Sequence, residues 1–306
     1  MTPYPYRSEL QYIADNCNPV RLRSIFASQR DGKALYDAET SDDAVKVSTL
    51  SIRPDLRALW YESRFADENS PCMVFYHGGG WVYQAASYLF LYARRFTAAL
   101  RCRTVFVDYR LGPKHRFPAA VDDAFDTYRY ILHHAENLSI DPKRIFVYGD
   151  SAGANLAAAV CLMARDKGLP LPCCQMLIYP VTDYRMNTES FRQYVDTPMC
   201  SARSMRLFYR LYLGRFRRVP PHLLPYLSPA QAKSHRGLPA AYIEAAFFDP
   251  LRDEGKAYAQ TLRDAGVDAV FVQTEGTMHG YEEAYHTEYI DSLIQNRIAY
   301  LQNLLY

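Results

Sequence analysis

Six short apolar runs separated by helix-like segments are the feature that most constrains the fold of this chain. Each run has the length of one buried strand, and each intervening segment is long enough for a helix that crosses a sheet. This alternation predicts an α/β fold, with a mostly parallel sheet and helices on both faces. The runs are residues 72–77, 104–109, 144–149, 175–180, 240–247 and 269–274. The predicted helices are residues 87–101, 118–136, 152–167, 252–265 and 284–304.

Two other parts of the chain do not follow this alternation. Residues 45–52 and 56–63 alternate between apolar and polar side chains around a Pro-Asp pair, which predicts a β-hairpin. Residues 183–237 contain five prolines and a basic, aromatic, helix-like piece from Ser204 to Arg218, but no clear strand. The second part therefore interrupts the sheet as an insertion.

An insertion of this length is typical of a lid or a binding element, and an ordinary surface excursion is the alternative. We expect it to lie over the sheet together with the N-terminal segment, whose first 40 residues predict one or two short helices. The predicted organisation is a cap segment at 1–44, core at 45–182, a cap insertion at 183–237 and core at 238–306.

Composition and charge limit which partners and which cellular compartment we expect for this chain. The chain has 306 residues, enough for one large core, and its formal net charge of +2 gives no reason to expect a nucleic-acid or membrane partner. Neither a signal-peptide pattern nor an apolar stretch of membrane-helix length is visible. Seven cysteines without a CxxC pair argue against a zinc site and against a disulfide framework. We therefore expect a cytoplasmic protein with free thiols.

The segment Gly149-Asp150-Ser151-Ala152-Gly153 matches G-x-S-x-G between a predicted strand and a predicted helix. In this setting the serine occupies a tight, strained turn, and glycines on either side remove side chains that would clash. The turn lifts the hydroxyl above the sheet edge at a helix N-terminus. Ser151 is therefore predicted to be a nucleophile; a glycine-rich turn with a capping serine is the alternative.

Three consecutive glycines follow another predicted strand, in VFYHGGGWVY. Bare backbone suits an oxyanion hole, in which amide N–H groups approach a carbonyl oxygen. We expect Gly78 and Gly79 to donate from this loop, and Ala152 from the turn after Ser151. A phosphate-binding loop is the weaker alternative, since no phosphate-loop pattern follows the glycines. His77 is expected to anchor the loop by a hydrogen bond.

A serine hydroxyl needs a neighbouring base to act as a nucleophile. Of the eight histidines, His279 is the best placed, because it follows the last predicted strand and would lie at the same sheet edge as Ser151. His133 and His134 fall at the end of a predicted helix, where they suit the helix dipole instead.

The motifs HGGGW, GDSAG, DPLRDEG and HGY, in this order, resemble the hormone-sensitive-lipase family of α/β-hydrolases, and YRLGPKHRFPAAVDDA adds to the similarity. The similarity covers roughly residues 45–305. It implies an α/β-hydrolase fold with a helical cap and a serine carboxylesterase acting on short- to medium-chain esters. It also implies Ser151 as the nucleophile, His279 as the base and Asp249 as the acid. No cofactor or metal is implied, and a homodimer is common in the family.

The stretch AAFFDPLRDEG, residues 245–255, contains three carboxylates. Asp249 directly follows a predicted strand, at the edge that carries the predicted nucleophile and base, and the order Ser…Asp…His is that of the α/β-hydrolase triad. Asp249 is also suited to begin a helix, with Pro250 at the first helical position. Asp253 and Glu254 fall in the first turn of that helix, where the dipole favours acidic groups, so we expect structural roles for them.

Five positions depart from the usual family pattern: Gln84, Lys114, Arg116, Ala154 and Tyr281. Of these, Gln84 and Tyr281 are candidates for residues that narrow or polarise the pocket. The same site would also serve a deacetylase of a sugar or antibiotic, or an arylformamidase. A non-catalytic receptor of the family type lacks the histidine, which this chain retains.

Overall fold

The computed structural model describes residues 4–17, 20–214 and 219–306. Over these residues, eight strands form one sheet. The strands are β1 Val45–Arg53, β2 Leu56–Ser63, β3 Ser70–Tyr76, β4 Arg103–Asp108, β5 Ile140–Asp150, β6 Cys174–Ile178, β7 Ala240–Phe248 and β8 Ala269–Met278. Every predicted strand is therefore present.

Ten α-helices lie in the same described residues. They are α1 Gln11–Asn16, α2 Leu22–Ala38, α3 Ser87–Ala99, α4 Ala119–His133, α5 Ala152–Asp166, α6 Glu189–Gln193, α7 Ala202–Leu213, α8 Leu224–Leu227, α9 Arg252–Asp264 and α10 Glu288–Leu305. None of the helices in the described ranges is both long and apolar enough to cross a membrane.

The strand order in the sheet is β1-β2-β4-β3-β5-β6-β7-β8. β1 and β2 form the predicted antiparallel hairpin, and β2 pairs antiparallel with β4. All pairs from β4 through β8 are parallel. The predicted mostly parallel α/β sheet is confirmed, and the carboxyl ends of its parallel strands meet at one edge.

The sheet buries both of its faces. In β3, Cys72, Val74 and Tyr76 belong to one apolar cluster, and Met73 and Phe75 belong to the other. Helices α4, α5 and α9 contribute to the first cluster, and α3 and α10 contribute to the second. Because successive side chains of a strand point to opposite faces, this double cover explains why the strands read as unbroken apolar runs.

Two strands are longer than their apolar runs. β5 begins at Ile140, which is buried and pairs with Ser70 before a register shift, so the mostly polar residues 141–144 precede the apolar run within the same strand. β8 continues to Met278, which pairs with Phe248 of β7 beyond another register shift. A short 3₁₀ turn at Tyr281–Ala284 precedes α10, so the last helix begins later than predicted.

The insertion contains no strand in its described residues, 183–214 and 219–237. Its longest helix, α7, begins earlier than the predicted start at Ser204, because Ser201 and Ser204 form a reciprocal capping box. The end of the predicted piece, 215–218, lies outside the described residues, as do 1–3 and 18–19 of the predicted N-terminal segment. The N-terminal segment contains the two predicted helices, although α2, with 17 residues, is not short.

Candidate active site

The predicted site residues gather at the carboxyl edge of the sheet. The register of β7 and β8 pairs Phe248 with Met278, so Asp249 and His279 leave neighbouring strands side by side. Ser151 follows β5, and its backbone N–H donates to the carbonyl of Ile178 at the end of β6 (2.8 Å).

Ser151 lies on a strained turn between β5 and α5. Its φ of 53° and ψ of −116° are rare for a residue with a side chain. A Cβ atom on Gly149 would collide with the backbone of Gly153, and one on Gly153 would collide with the carbonyls of Tyr76 and His77. The glycines of the motif are therefore required by space, as the sequence predicted, because strand β5, helix α5 and the end of β3 meet here.

Ser151, His279 and Asp249 form one chain of hydrogen bonds. The Nε2 atom of His279 lies 2.9 Å from Ser151 Oγ, and its Nδ1 atom lies 2.7 Å from Asp249 Oδ2. Asp249 is fully buried, whereas Ser151 and His279 are 6% and 7% exposed. This arrangement can pass a proton from a serine hydroxyl to an imidazole that a carboxylate orients.

The second oxygen of Asp249 holds the backbone in place. Asp249 Oδ1 accepts the N–H of Leu251 at 2.9 Å, and helix α9 begins only at Arg252. The predicted use of Asp249 as a cap is therefore replaced by a turn that precedes the helix. Since Oδ1 is fixed by the backbone, Oδ2 faces His279 in a defined direction.

The three glycines after β3 divide into two groups. The N–H of Gly78 donates to Asp150 Oδ1 at 2.8 Å, which contradicts its predicted role as an oxyanion donor because this donor is already used. Gly79 and Gly80 both have positive φ, 106° and 60°, which glycine adopts without strain. Among the hydrogen bonds of the described residues, none uses the N–H of Gly79, Gly80 or Ala152.

His77 anchors this loop, as predicted. It is fully buried, its Nδ1 lies 2.7 Å from the carbonyl of Gly78, and its ring stacks on Tyr109 with centroids 4.3 Å apart. Burial lowers its pKa to about 4, so the ring is neutral at physiological pH. A neutral, enclosed ring suits a positioning role for the loop.

A cavity of about 450 Å³ opens onto Ser151 and His279. Both parts of the predicted cap contribute to its wall. Cys17, Val20, Ser28 and Leu35 come from the N-terminal segment, Met199, Cys200 and Phe208 come from the insertion, and Gly78, Gly79, Gly80, Tyr83, Gln84, Ala85, Ala86, Tyr88, Leu89, Asp150, Tyr179 and Gly280 complete the lining.

The two departures singled out in the sequence have different positions. Gln84 lines the cavity, but its amide donates to Asp108 Oδ1 at 2.8 Å, so it closes the wall more than it polarises it. Tyr281 points away from the cavity: its hydroxyl bonds Glu244 and accepts from Arg297. Tyr281 therefore belongs to a buried polar network beneath the site.

Sequence reasoning overlooked two residues next to the predicted triad. Asp150 precedes the nucleophile, and burial, with a smaller contribution from Glu282, raises its pKa well above the ordinary range. Tyr179 follows β6; its ring lies 4.4 Å from the ring of His279, and its hydroxyl bonds Glu282. The sequence offered a signal for each of them: Asp150 is an acid inside GDSAG, and Tyr179 is a polar residue at the end of a predicted strand.

Comparison with known proteins identifies the family. A family model described as alpha/beta hydrolase fold matches residues 73–283. Carboxylic ester hydrolase LipN from Mycobacterium tuberculosis is 41% identical over 218 residues, which is 69% of this chain and 57% of LipN. Carboxylesterase NlhH from the same species is 39% identical over 70% of this chain and 67% of NlhH. The chain thus spans little more than half of LipN.

Solved structures agree over nearly the whole chain. A bacterial heroin esterase superimposes with a TM-score of 0.90 at 30% identity and covers 99% of this chain and 98% of its own. An esterase from Pyrobaculum calidifontis has a TM-score of 0.85 at 33% identity, and the match covers 98% of this chain and 99% of the esterase. The chain therefore belongs to the α/β-hydrolase family, in its hormone-sensitive-lipase branch.

Proposed function

We propose that this protein is a serine carboxylesterase that hydrolyses short- to medium-chain esters through an acyl-enzyme on Ser151. His279 takes the hydroxyl proton as Ser151 attacks the ester carbonyl, and then gives it to the departing alcohol. Asp249 holds the imidazole in the required tautomer and stabilises its protonated form. Water then releases the acyl group, again with His279 as the base.

The observation that carries this proposal is the continuous chain from Ser151 Oγ through both nitrogens of His279 to Asp249 Oδ2, with links of 2.9 and 2.7 Å at the floor of a cavity. For the oxyanion we propose the N–H groups of Gly79, Gly80 and Ala152. Their lack of an acceptor among the described residues supports this choice, and we leave Gly78 out of it because its N–H already donates to Asp150.

The wall of the cavity favours a neutral substrate. It carries aromatic and aliphatic side chains, and no lysine or arginine is present among its described residues. A substrate carboxylate or phosphate would find no lysine or arginine to pair with in the described part of the wall, and an unpaired charge that leaves water costs free energy. Polar side chains of the wall such as Gln84 and Tyr83 are already paired, with Asp108 and Ser24, so the cavity favours an apolar ester over the deacetylase alternative.

We further propose that 1–44 and 183–237 act as a cap over a core formed by 45–182 and 238–306. Side chains from both cap parts in the cavity wall support this division. We also propose cytoplasmic residence, supported by the buried thiols of Cys72, Cys102, Cys161, Cys174 and Cys200, and a homodimer through the edge strand β8. Cell fractionation tests the first of these two, and sedimentation velocity tests the second.

Ser151→Ala tests the proposed function. We expect the variant to fold with an unchanged circular dichroism spectrum and to lose hydrolysis of p-nitrophenyl butyrate by a factor of about 10⁴ or more. A fluorophosphonate probe should label the unmodified protein and not the variant. Retained turnover in the variant, or an unlabelled but folded wild-type protein, would contradict the proposal.

A substrate panel separates the alternatives that share this site. p-Nitrophenyl esters from acetate to decanoate, an acetylated sugar and N-formylkynurenine should be compared by kcat/KM at the same enzyme concentration. We expect the short and medium esters to lead. Preference for the acetylated sugar or the formamide would replace the proposed substrate class and leave the triad assignment intact.

A further inference from the structure

A cysteine of the cap insertion lies beside the predicted triad. Cys200 lies two residues before the start of helix α7 and is 2% exposed. Its Sγ, a carboxylate oxygen of Asp249 and a ring nitrogen of His279 all lie within 4.8 Å of one another. Ester hydrolysis gives this thiol no step, so its position calls for another explanation.

Local structure holds the cysteine where it is. The backbone N–H of Cys200 donates to the carbonyl of Pro198 at 2.6 Å, and its own carbonyl accepts the hydroxyl of Thr197 at 2.6 Å. The capping box at Ser201 then fixes the start of the following helix. The thiol is therefore presented from a fixed turn.

The three donors are of the kinds that zinc prefers. Zinc takes thiolate, imidazole and carboxylate ligands at roughly 2.0–2.3 Å, whereas magnesium and calcium prefer oxygen ligands alone. Donors already within 4.8 Å of one another can enclose a zinc ion after small side-chain movements. We propose that Cys200, Asp249 and His279 form a reversible inhibitory site for Zn²⁺, with water from the cavity as the fourth ligand.

Zinc bound at this site would inhibit catalysis because it occupies His279, the proposed base; this consequence rests on the proposed function. Coordination through Nε2 uses the lone pair that would accept the serine proton. Coordination through Nδ1 moves the ring proton to Nε2, which leaves the wrong tautomer for a base. In either case the S–H bond of Cys200 breaks, a Zn–S bond forms, and the thiol proton passes to water.

The cavity provides both a path for the ion and a matched control. Cys200 and Cys17 line the same cavity, and only Cys200 belongs to the group of three donors. Cys17 comes from the N-terminal cap segment, and its sulfur accepts the backbone N–H of Met199 at 3.0 Å. If zinc inhibited the enzyme by binding any thiol of this cavity, mutation of either cysteine would weaken the inhibition.

The test is a zinc chloride titration of wild type, Cys200→Ala and Cys17→Ala during hydrolysis of p-nitrophenyl butyrate in chelator-free buffer. Each rate is divided by the zinc-free rate of the same variant. We expect the inhibition midpoint of Cys200→Ala to rise about tenfold or more, that of Cys17→Ala to stay within about twofold, and EDTA to restore activity. Equal inhibition of wild type and Cys200→Ala, or no inhibition of wild type by millimolar zinc, would overturn the site.

Calorimetry separates this proposal from the proposed function. Ser151 is not a zinc ligand here, so Ser151→Ala should bind one zinc ion per chain, and Ser151→Ala combined with Cys200→Ala should not. Cys200→Ser, which keeps the size of the side chain, replaces Cys200→Ala if the alanine variant does not fold. Zinc binding without any ester hydrolysis would refute the esterase alone; hydrolysis without zinc binding would refute the zinc site alone.

Discussion

Asp249 and Glu254 lie five residues apart, and both carboxylates are buried, at 0% and 2% exposure. One oxygen of Asp249 meets His279, and the other meets the N–H of Leu251. Glu254 instead accepts the backbone N–H groups of Thr182 (2.7 Å) and Asp183 (3.3 Å), and its Oε2 has no partner among the described residues. Burial alone therefore does not distinguish the carboxylate that we propose for the triad; the group that it faces does.

Two other acids extend this comparison. Glu282 does not contact His279 directly among the described residues; it bonds the hydroxyl of Tyr179, whose ring lies against His279. Asp253 is partly exposed and ties the start of α9 to the insertion, accepting the N–H of Ser190 at 2.8 Å and the Nε–H of Arg252 at 2.9 Å. The four acids thus range from direct contact with the imidazole to none, and mutation can test each of them.

Asp249→Asn should have the largest effect. The amide keeps the size of the side chain and an oxygen for Leu251, but its NH₂ faces Nδ1 of His279 and favours the wrong tautomer. We expect kcat for p-nitrophenyl butyrate to fall by about 10³- to 10⁴-fold, with little change in the urea midpoint. An Asp249→Asn protein that is stable and retains more than about a tenth of wild-type turnover would contradict the assignment of the acid.

Tyr179→Phe should have a smaller effect on the same step. The change keeps the ring against His279 and removes the hydroxyl that bonds Glu282, so the imidazole loses part of its support. We expect kcat to fall about three- to tenfold with KM nearly unchanged, because the effect is on orientation rather than on binding.

Tyr242→Phe is the matched control for Tyr179→Phe. Tyr242 is also buried and also donates to a network carboxylate, Glu244 at 2.9 Å, but it does not line the cavity. Its removal should lower stability by about 1 kcal/mol and leave kcat unchanged. Equal losses of kcat in the two variants would show that Tyr179 acts only through the fold.

Part of the candidate site could be predicted from the sequence, and part of it required the structure. Ser151, Asp249 and His279 could be predicted because each follows an apolar strand, and parallel strands bring their carboxyl ends to one edge. That the Gly78 N–H donates to Asp150 could not be predicted, because this bond depends on the direction of the Asp150 side chain, which the spacing of residues in the sequence does not determine. The approach of Cys200 to the triad depends on how the insertion packs, so it also required the structure.

Glu254→Gln should change stability and not turnover. Burial raises the pKa of Glu254 well above its usual value; the hydrogen bonds from the Thr182 and Asp183 N–H groups oppose this rise, and the nearby acids Asp183 and Asp249 add to it. A carboxyl whose folded pKa exceeds its unfolded value, about 4.3, stabilises the fold at low pH and loses that contribution as pH rises. Glutamine keeps the acceptor for Thr182 and has no proton to lose.

As pH rises from 5 to 8, wild type should lose this contribution to its free energy of unfolding, whereas Glu254→Gln has none to lose. The difference in free energy of unfolding should therefore shift in favour of Glu254→Gln by on the order of 1 kcal/mol. Urea denaturation at the two values measures this shift, and the kcat of the variant at pH 7.5 provides the control. A variant that loses turnover while its stability is unchanged would place Glu254 among the groups that act on the site.

Asp253→Asn should have the smallest effect. Although burial opposes ionisation, the hydrogen bonds from Arg252 and Ser190 prevail and lower the pKa of Asp253. A depressed folded pKa gives stability that is present above the unfolded pKa of about 3.9 and is lost as pH falls through the folded value. We expect Asp253→Asn to unfold with about 0.5–1 kcal/mol less free energy at pH 7, a difference that disappears in acid, and to keep its kcat. If Asp253→Asn lost turnover as Asp249→Asn does, the distinction between the acid that faces His279 and the acid that fastens the insertion would fail.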